Sequence, residues 1–297
     1  EICACLVGSE MCIRDRYTVA DGMRDGNVLG FDSVPQPTYK DKDLRKAVAL
    51  EKAKAQDETE VFANDSKKKI YMHWMYDVPM GEQLDDDGDS LESIEGCLTD
   101  AQYNRDEHRK AVIDDILDNW VSQSHNGKFH AILATSSIPE AIKYYKLFAQ
   151  RDCGLKTTAV FDPSDGNNES SIEKIDGIAQ MLEDYNSLFG TCFNISGYAS
   201  FKRDVCARLA HKTPYTAVEN EPSKCLDILI VVDQMLTGYD SKWLNTLYMD
   251  KFYKWSNIEM IIQAFSRTNR VFNDDKPHGI IPVSYTHLRA HETCADL

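Results

Sequence analysis

From residue 131 onward the chain alternates short, unbroken apolar runs with longer stretches in which apolar residues recur at helical spacing. The runs are AILATSS (131–137), TTAVFD (157–162), DILIVVD (227–233), TLYMDK (246–251) and GIIP (279–282). Between them lie IPEAIKYYKLFAQ (138–150), IEKIDGIAQMLEDYNSLF (172–189), SFKRDVCARLAHK (200–212) and NIEMIIQAFSRT (257–268), each of which reads as a helix. A strand half-exposed to water would alternate apolar and polar residues; these runs do not, so they predict strands covered on both faces. Strands separated by helices predict a parallel sheet. The expected class is therefore α/β, a RecA-like or Rossmann-like layer with helices on both faces and ligands at the carboxyl ends of the strands.

The texture before residue 124 is different. KDKDLRKAVALEKAKAQ (40–56) and DEHRKAVIDDILDNWVSQ (106–123) are charged and favour helix. In the second, Val112, Ile113, Ile116, Trp120 and Val121 fall on one helical face, which predicts a helix packed against a domain. The chain thus divides into a leading segment with a charged helical insertion (17–123) and an α/β lobe (124–282). Within the insertion, LDDDGDSLESIEGC (84–97) places Asp85, Asp87 and Asp89 at calcium-loop offsets. Ser90 then stands where the turn glycine belongs and Gly96 where a bidentate glutamate is needed, so a solvated acidic loop is the better reading.

The two ends stand apart from this pattern. Residues 1–16 have no basic start or apolar core of a secretion signal, and Cys3, Cys5 and Cys12 lack zinc-ligand spacing. One stretch of DNA read on opposite strands can encode both Glu1–Arg16 and Val283–Leu297, and that DNA resembles a transposase-type sequencing adapter. Both tails are therefore read as translated adapter, expected to have no partner surface. They hold four of the nine cysteines; Cys97, Cys153, Cys192, Cys206 and Cys225 remain, without a C-x-x-C pair, as expected of buried free thiols in a reducing cytoplasm. Each tail carries a net charge of −1, so the formal −15 becomes −13 for the rest. So acidic a segment is no free-standing polyanion binder, and any contact with nucleic acid must be local. No apolar stretch is long enough to span a membrane.

Candidate chemistry concentrates near the carboxyl end. Phosphate loops of the G-x-x-x-x-G-K-[ST] and G-x-G-x-x-G types are missing. Instead Thr237-Gly238-Tyr239-Asp240 follows an apolar run, with Gly238 able to make a tight turn and Asp240 offering a carboxylate at the sheet rim. Arg267 and Arg270 are three apart at a helix end, so their guanidinium forks can point the same way, a pattern suited to phosphate and equally to surface ion pairs. His73, His125 and His130 are too isolated for a zinc site, and Cys153 and Cys225 have no nearby histidine signature.

The run LTGYDSKWLNTLYMDK (236–251) followed by IIQAFSRTNR (261–270) resembles helicase motifs V and VI of the motor subunit of type I restriction endonucleases. YTVADGMRDGNVLGF (17–31) is similar to the segment leading into that subunit's second helicase lobe, and HAILATSSIPEAIKYYKLF (130–148) is similar to motif IV. The resemblance implies that Gly238, Asp240 and Gln263 face ATP, that Arg267 and Arg270 reach its triphosphate with Arg270 as arginine finger, and that Thr135, Ser136, Ser137 and Thr237 meet DNA. The same hydroxyls at 135–137 are suited to capping the following helix. It further implies an ATP-dependent site-specific deoxyribonuclease in the cytoplasm, acting on double-stranded DNA with methyltransferase and specificity subunits. ATP and Mg²⁺ would be held mainly by a first lobe outside this sequence, leaving this piece inactive alone. The alternatives are a lobe of another superfamily 2 motor and a non-catalytic α/β ligand-binding module.

Overall fold

The computed structural model describes residues 19–36, 38, 40–81, 91–98, 105–151, 153–161, 171–232, 235–236, 238–251 and 258–284. In chain order these form α1 (Val19–Arg24), β1 (Phe31–Pro35), α2 (Asp41–Lys52), α3 (Glu58–Phe62), α4 (Asp65–Tyr76), α5 (Asp106–Gln123), β2 (His130–Thr135) and α6 (Ile138–Gln150). There follow β3 (Thr157–Val160), α7 (Ser171–Phe189), α8 (Tyr198–Leu209), β4 (Ile228–Val231), β5 (Leu244–Asp250), α9 (Ile258–Phe265) and β6 (Gly279–Val283).

The strands make one six-stranded sheet in the order β1-β6-β5-β2-β4-β3, with every neighbouring pair parallel. Every residue of β2, β4 and β5 is buried, so both faces of the sheet's centre are covered, as unbroken apolar runs require. This is the α/β parallel sheet expected from the sequence. One strand was not expected. FDSVP in β1 is no apolar run, and Val34 is exposed; the strand is held at the sheet edge by its backbone pairing with β6.

Helix α5 joins the sheet's core through Val112, Ile113, Ile116 and Trp120. Val121, expected on the same face, is 63% exposed instead, because 100° per residue carries it past the buried stripe. A second core forms among the leading helices: Leu44, Val48 and Ala49 of α2 pack with Val61 of α3 and with Tyr71, Trp74 and Met75 of α4. Asp57 caps α3 by accepting from the Glu60 N–H, and Asn64 caps α4 by accepting from the Ser66 and Lys67 N–H groups.

Two buried polar clusters tie the leading segment to the lobe. Arg109 of α5 donates from Nε and Nη2 to the two carboxylate oxygens of Glu140 in α6, at 2.6 and 2.8 Å. His108 sits 2.7 Å from Asp250 Oδ1 at the end of β5 and 2.7 Å from Thr38 Oγ1, while Tyr144 donates to the other Asp250 oxygen at 2.5 Å.

The carboxyl-terminal tail is not wholly without partners. β6 runs through Val283, whose carbonyl accepts from the Gln36 N–H at 2.9 Å, and the Ser284 N–H donates to Met249 O at 3.0 Å. A parallel ladder is made by backbone groups, so a strand between two neighbours extends into whatever residues follow it. The acidic positions Asp85, Asp87 and Asp89 and the rest of both tails lie outside the described residues. The five cysteines outside the tails are free, but Cys192 is exposed and the other four are half-buried, so the expectation of buried thiols does not hold.

Candidate functional site

The residues singled out in the sequence fall at two ends of one strand. Thr135 closes β2, and Ser136 and Ser137 follow it at the carboxyl rim. Thr135 is fully buried and its hydroxyl donates to Val231 O at 3.0 Å, joining β2 to β4. Ser137 is the N-cap of α6, its Oγ accepting from the Glu140 N–H at 3.4 Å. Ser136 is the exposed hydroxyl of the three.

The Gly238–Asp240 turn lies at the opposite end. Tyr239 Oη is 3.1 Å from Nε2 of His130, the first residue of β2, and β5 starts shortly afterwards at Leu244. The turn therefore does not stand at the carboxyl rim, where its place after an apolar run suggested it would. To enter β5 parallel to β4, the chain must travel back along the sheet, and Asp240 emerges where that return ends. With about 3.3 Å per residue, the six-residue β2 separates the two loci by about 16 Å.

At the amino-end locus three charged side chains meet. α9 stops at Phe265, and Arg267 and Arg270 lie just beyond it. Arg270 Nε donates to Asp240 Oδ1 at 2.6 Å. Arg267 donates from Nη1 to Tyr239 O at 3.0 Å and from Nε to Gln263 O at 2.9 Å, so it bridges the turn and the helix end. Burial, and then the neighbouring positive charge of Arg270, lower the pKa of Arg267. The guanidinium stays protonated, but it sits where an incoming anion relieves both costs. Asp240 and Arg270 keep 65% and 41% side-chain exposure, and exposed pairs contribute about 1 kcal/mol or less to stability. The pair therefore leaves both groups accessible to a ligand at little energetic penalty.

Gly238 adopts φ +77°, and a Cβ there would meet nothing within 4 Å, so glycine is required by backbone conformation and not by crowding. Gln263 is exposed and contributes its backbone carbonyl to Arg267. Thr237 lies outside the described residues. Tyr239, passed over in the sequence, anchors the turn from both sides: its carbonyl holds Arg267 and its buried ring meets His130. The signal available was a large aromatic residue between Gly238 and Asp240 in a polar turn.

Among the described residues no group of three or more His, Cys, Asp and Glu is arranged to hold a metal ion. His130 is buried, which lowers its pKa well below the ordinary value with help from His211 and Lys276. His73 is exposed and 3.2 Å from Asp77. No helix among the described residues is long and apolar enough to cross a membrane.

Comparison with known proteins bears on this arrangement. Residues 127–287 match the family model for type I restriction enzyme subunit R domain 3. The chain is 32% identical over 282 residues to the type I restriction enzyme SsaAORF53P endonuclease subunit of Staphylococcus saprophyticus, covering 92% of this chain and 24% of that protein. It is 41% identical over 69 residues to the type I restriction enzyme HindI endonuclease subunit of Haemophilus influenzae, covering 23% and 6%. Among solved structures, the C-terminal part of the Fun30 ATPase domain superposes with a TM-score of 0.33 at 14% identity, covering 88% of this chain and 66% of that one. The chain thus spans about a quarter of the length of the staphylococcal relative, and it belongs to the subunit R family of type I restriction enzymes, carrying the region matched by domain 3.

Proposed function

We propose that this chain is the second motor lobe of a type I restriction subunit, a superfamily 2 helicase lobe that serves ATP-dependent DNA translocation leading to cleavage. The observation that carries the reading is the convergence of Asp240, Arg267 and Arg270 on one exposed edge, away from the Ser136 edge. Two guanidinium groups, Arg270 accessible and Arg267 half-buried, beside a single carboxylate fit the oxygens of a triphosphate. ATP, when bound, supplies the phosphoryl bond whose hydrolysis drives movement; Mg²⁺ and the phosphate cradle belong to a first lobe outside this chain.

In this reading Arg270 leaves Asp240 to neutralise charge on the transferring phosphoryl group, and Arg267 holds the turn against α9 so that Arg270 arrives in register. Asp240 is then freed for a hydroxyl of the nucleotide. Ser136, at the far end of β2, donates to a DNA phosphate, a contact that positions without reading sequence, while Thr135 and Ser137 shape its loop. Double-stranded DNA and the methyltransferase and specificity subunits are the partners of the assembled enzyme, and the chain alone is inactive.

The test is Arg270→Ala in an intact homologue. DNA-stimulated ATP turnover is expected to fall about 10³-fold or more while DNA binding survives. Unchanged turnover overturns the assignment.

A further inference from the structure

A cavity of about 240 Å³ lies between the end of β1 and α5, and it shares no residue with the Asp240–Arg270 edge or with the Ser136 edge. Val34 and Gln36 line it from the strand, and Ala111, Val112, Asp115 and Asn119 from the helix. Asp115 accepts on one carboxylate oxygen from Gln36 Nε2 and on the other from Asn119 Nδ2, the latter at 3.1 Å. Both donors are neutral amides. The Gln36 Oε1, on the same amide that binds Asp115, is buried and has no hydrogen-bond partner among the described residues. We infer that this cavity is a binding site for a guanidinium group.

Charge, donor count and shape each point to that group. The Asp115 carboxylate is half-buried, and burial and then the like charge of Asp118 raise its pKa, outweighing the two amide hydrogen bonds. A cation in the cavity relieves both costs. The acceptors on offer, a carboxylate and the far oxygen of the amide bound to it, stand side by side on two residues. A guanidinium carries five N–H donors in a planar fork and can serve both at once, which a point charge cannot do with the same geometry. The remaining walls include Val34, Ala111 and Val112, apolar surface suited to the weakly hydrated faces of that plane. A divalent ion wants six or more oxygen ligands, and among the described residues no group of three His, Cys, Asp or Glu is placed to hold one. The volume falls below the roughly 300 Å³ at which pockets for whole drug-sized molecules begin, so a head group fits better than a large ligand. Two sources share this chemistry, a free guanidinium compound and an arginine side chain carried by an extended segment. The second has a ready approach: β1 is the outermost strand of the sheet, its outer edge is unpaired among the described residues, and Val34 is 41% exposed.

The experiment is a titration of the isotope-labelled chain at fixed ionic strength, following the resonances of Gln36, Ala111, Asp115 and Asn119. Methylguanidinium, methylammonium and the neutral isostere methylurea are added in turn, and then the capped peptides acetyl-Val-Arg-Val-amide and acetyl-Val-Gln-Val-amide. Methylguanidinium is expected to shift these resonances saturably and methylurea to leave them in place. Asp115→Asn keeps the size of the side chain and removes its charge, and it should weaken binding about tenfold or more, the loss of a charge-assisted hydrogen bond. Ala111→Leu fills the cavity from a half-buried position while keeping Asp115 and a good helix former in α5, so it should abolish binding with the urea midpoint held. An arginine peptide that binds at least tenfold tighter than methylguanidinium, with the glutamine peptide silent, assigns the site to an arginine of a neighbouring segment. Equal affinities assign it to a free guanidinium compound, and either result supports the site. Absence of saturable shifts from both methylguanidinium and the arginine peptide overturns it. So do equal shifts from methylammonium or methylurea, and so do Asp115→Asn and Ala111→Leu variants that bind as well as wild type. None of these outcomes touches the motor reading, just as unchanged turnover of Arg270→Ala in an intact homologue would sink that reading and leave these titrations standing.

Discussion

Gly279→Ala should dislodge Arg267 and Arg270 without touching them. Gly279 opens β6, and its N–H donates to Gly30 O at 2.9 Å. A Cβ there would stand 2.1 Å from Thr268 Oγ1, 2.5 Å from Thr268 Cβ and 3.1 Å from Thr268 O. Real Cβ atoms do not approach so closely, so something must move. Thr268 is fully buried between Arg267 and Arg270, and its hydroxyl donates to Phe265 O at 2.9 Å. Its backbone is pinned as well: the Thr268 N–H donates to Phe265 O at 3.1 Å, and the next residue's carbonyl accepts from Leu29 N–H at 2.7 Å. Overpacking of this kind costs about 1–3 kcal/mol, and losing the Thr268 hydroxyl bond adds about 1 kcal/mol. The expected destabilisation is about 2–4 kcal/mol, a fall of about 1 M in the urea midpoint if the slope is near the upper end for single domains. Urea unfolding followed by circular dichroism reads it directly. Adding Thr268→Ala removes the 2.1 Å contact and leaves the 2.5 Å one, so the double variant should cost less than the sum of the singles. A midpoint unchanged to within about 0.2 M at constant slope would refute the close packing of β6 against the arginine turn.

Two further outcomes follow from buried charge. Arg109→Ala leaves the Glu140 carboxylate, which is 8% exposed, with Lys143 as its one cationic partner among the described residues and should cost about 3 kcal/mol, whereas Arg109→Met with Glu140→Leu should cost much less. Burial alone would raise the Glu140 pKa, but hydrogen bonds from Arg109 and Lys143 override it and hold the carboxyl below the ordinary range. Its contribution is therefore present above the unfolded pKa near 4.3 and lost as pH falls through the lower folded value, so the stability gap between wild type and the apolar double variant should shift against wild type below about pH 4. Lys276 is buried, with Nζ donating to Leu244 O at 2.7 Å, and burial followed by the charge of Arg270 pushes its pKa down to about 7. The unfolded chain holds that proton up to about pH 10.4, so stability should rise between pH 7 and 10 in wild type and lose that slope in Lys276→Met, as seen in urea midpoints across the range.

The fold was legible where burial is two-sided. AILAT, TTAV, ILIV and LNTLYMD became β2 to β5 because strands covered on both faces must be predominantly apolar, and that constraint acts on each residue separately. β1 was not legible, since an edge strand is held by backbone groups that every sequence shares. The buried clusters were hidden for another reason. Arg109 meets Glu140 across 31 positions and His108 meets Asp250 across 142, and no local spacing encodes such partners. In the sequence both belong to a helix that reads only as charged and helix-favouring, packed through its apolar positions.

The candidate site shows the same division, since the Gly238–Asp240 turn stands away from the carboxyl rim that a general rule about parallel sheets singles out. The rule concerns the loop that leaves a strand, and Ser136 obeys it. The 232–243 connection between β4 and β5 is too long to be only such a loop: it leaves Val231 at the carboxyl rim and must deliver Leu244 to the amino rim. Residues early in that connection can act at one end of the sheet and residues late in it at the other. Asp240, late, is met there by Arg270, which precedes β6 and so also stands at the amino rim. A single connection that leaves β4 at the carboxyl rim and enters β5 at the amino rim joins the Ser136 edge to the edge where Asp240 meets Arg270. In the proposed motor that link is what would let a change at the nucleotide be felt by the DNA. A substitution that stiffens or slackens the connection without removing Asp240 should then lower translocation per ATP consumed more than it lowers ATP turnover. Equal losses of both would mean that the two edges work independently.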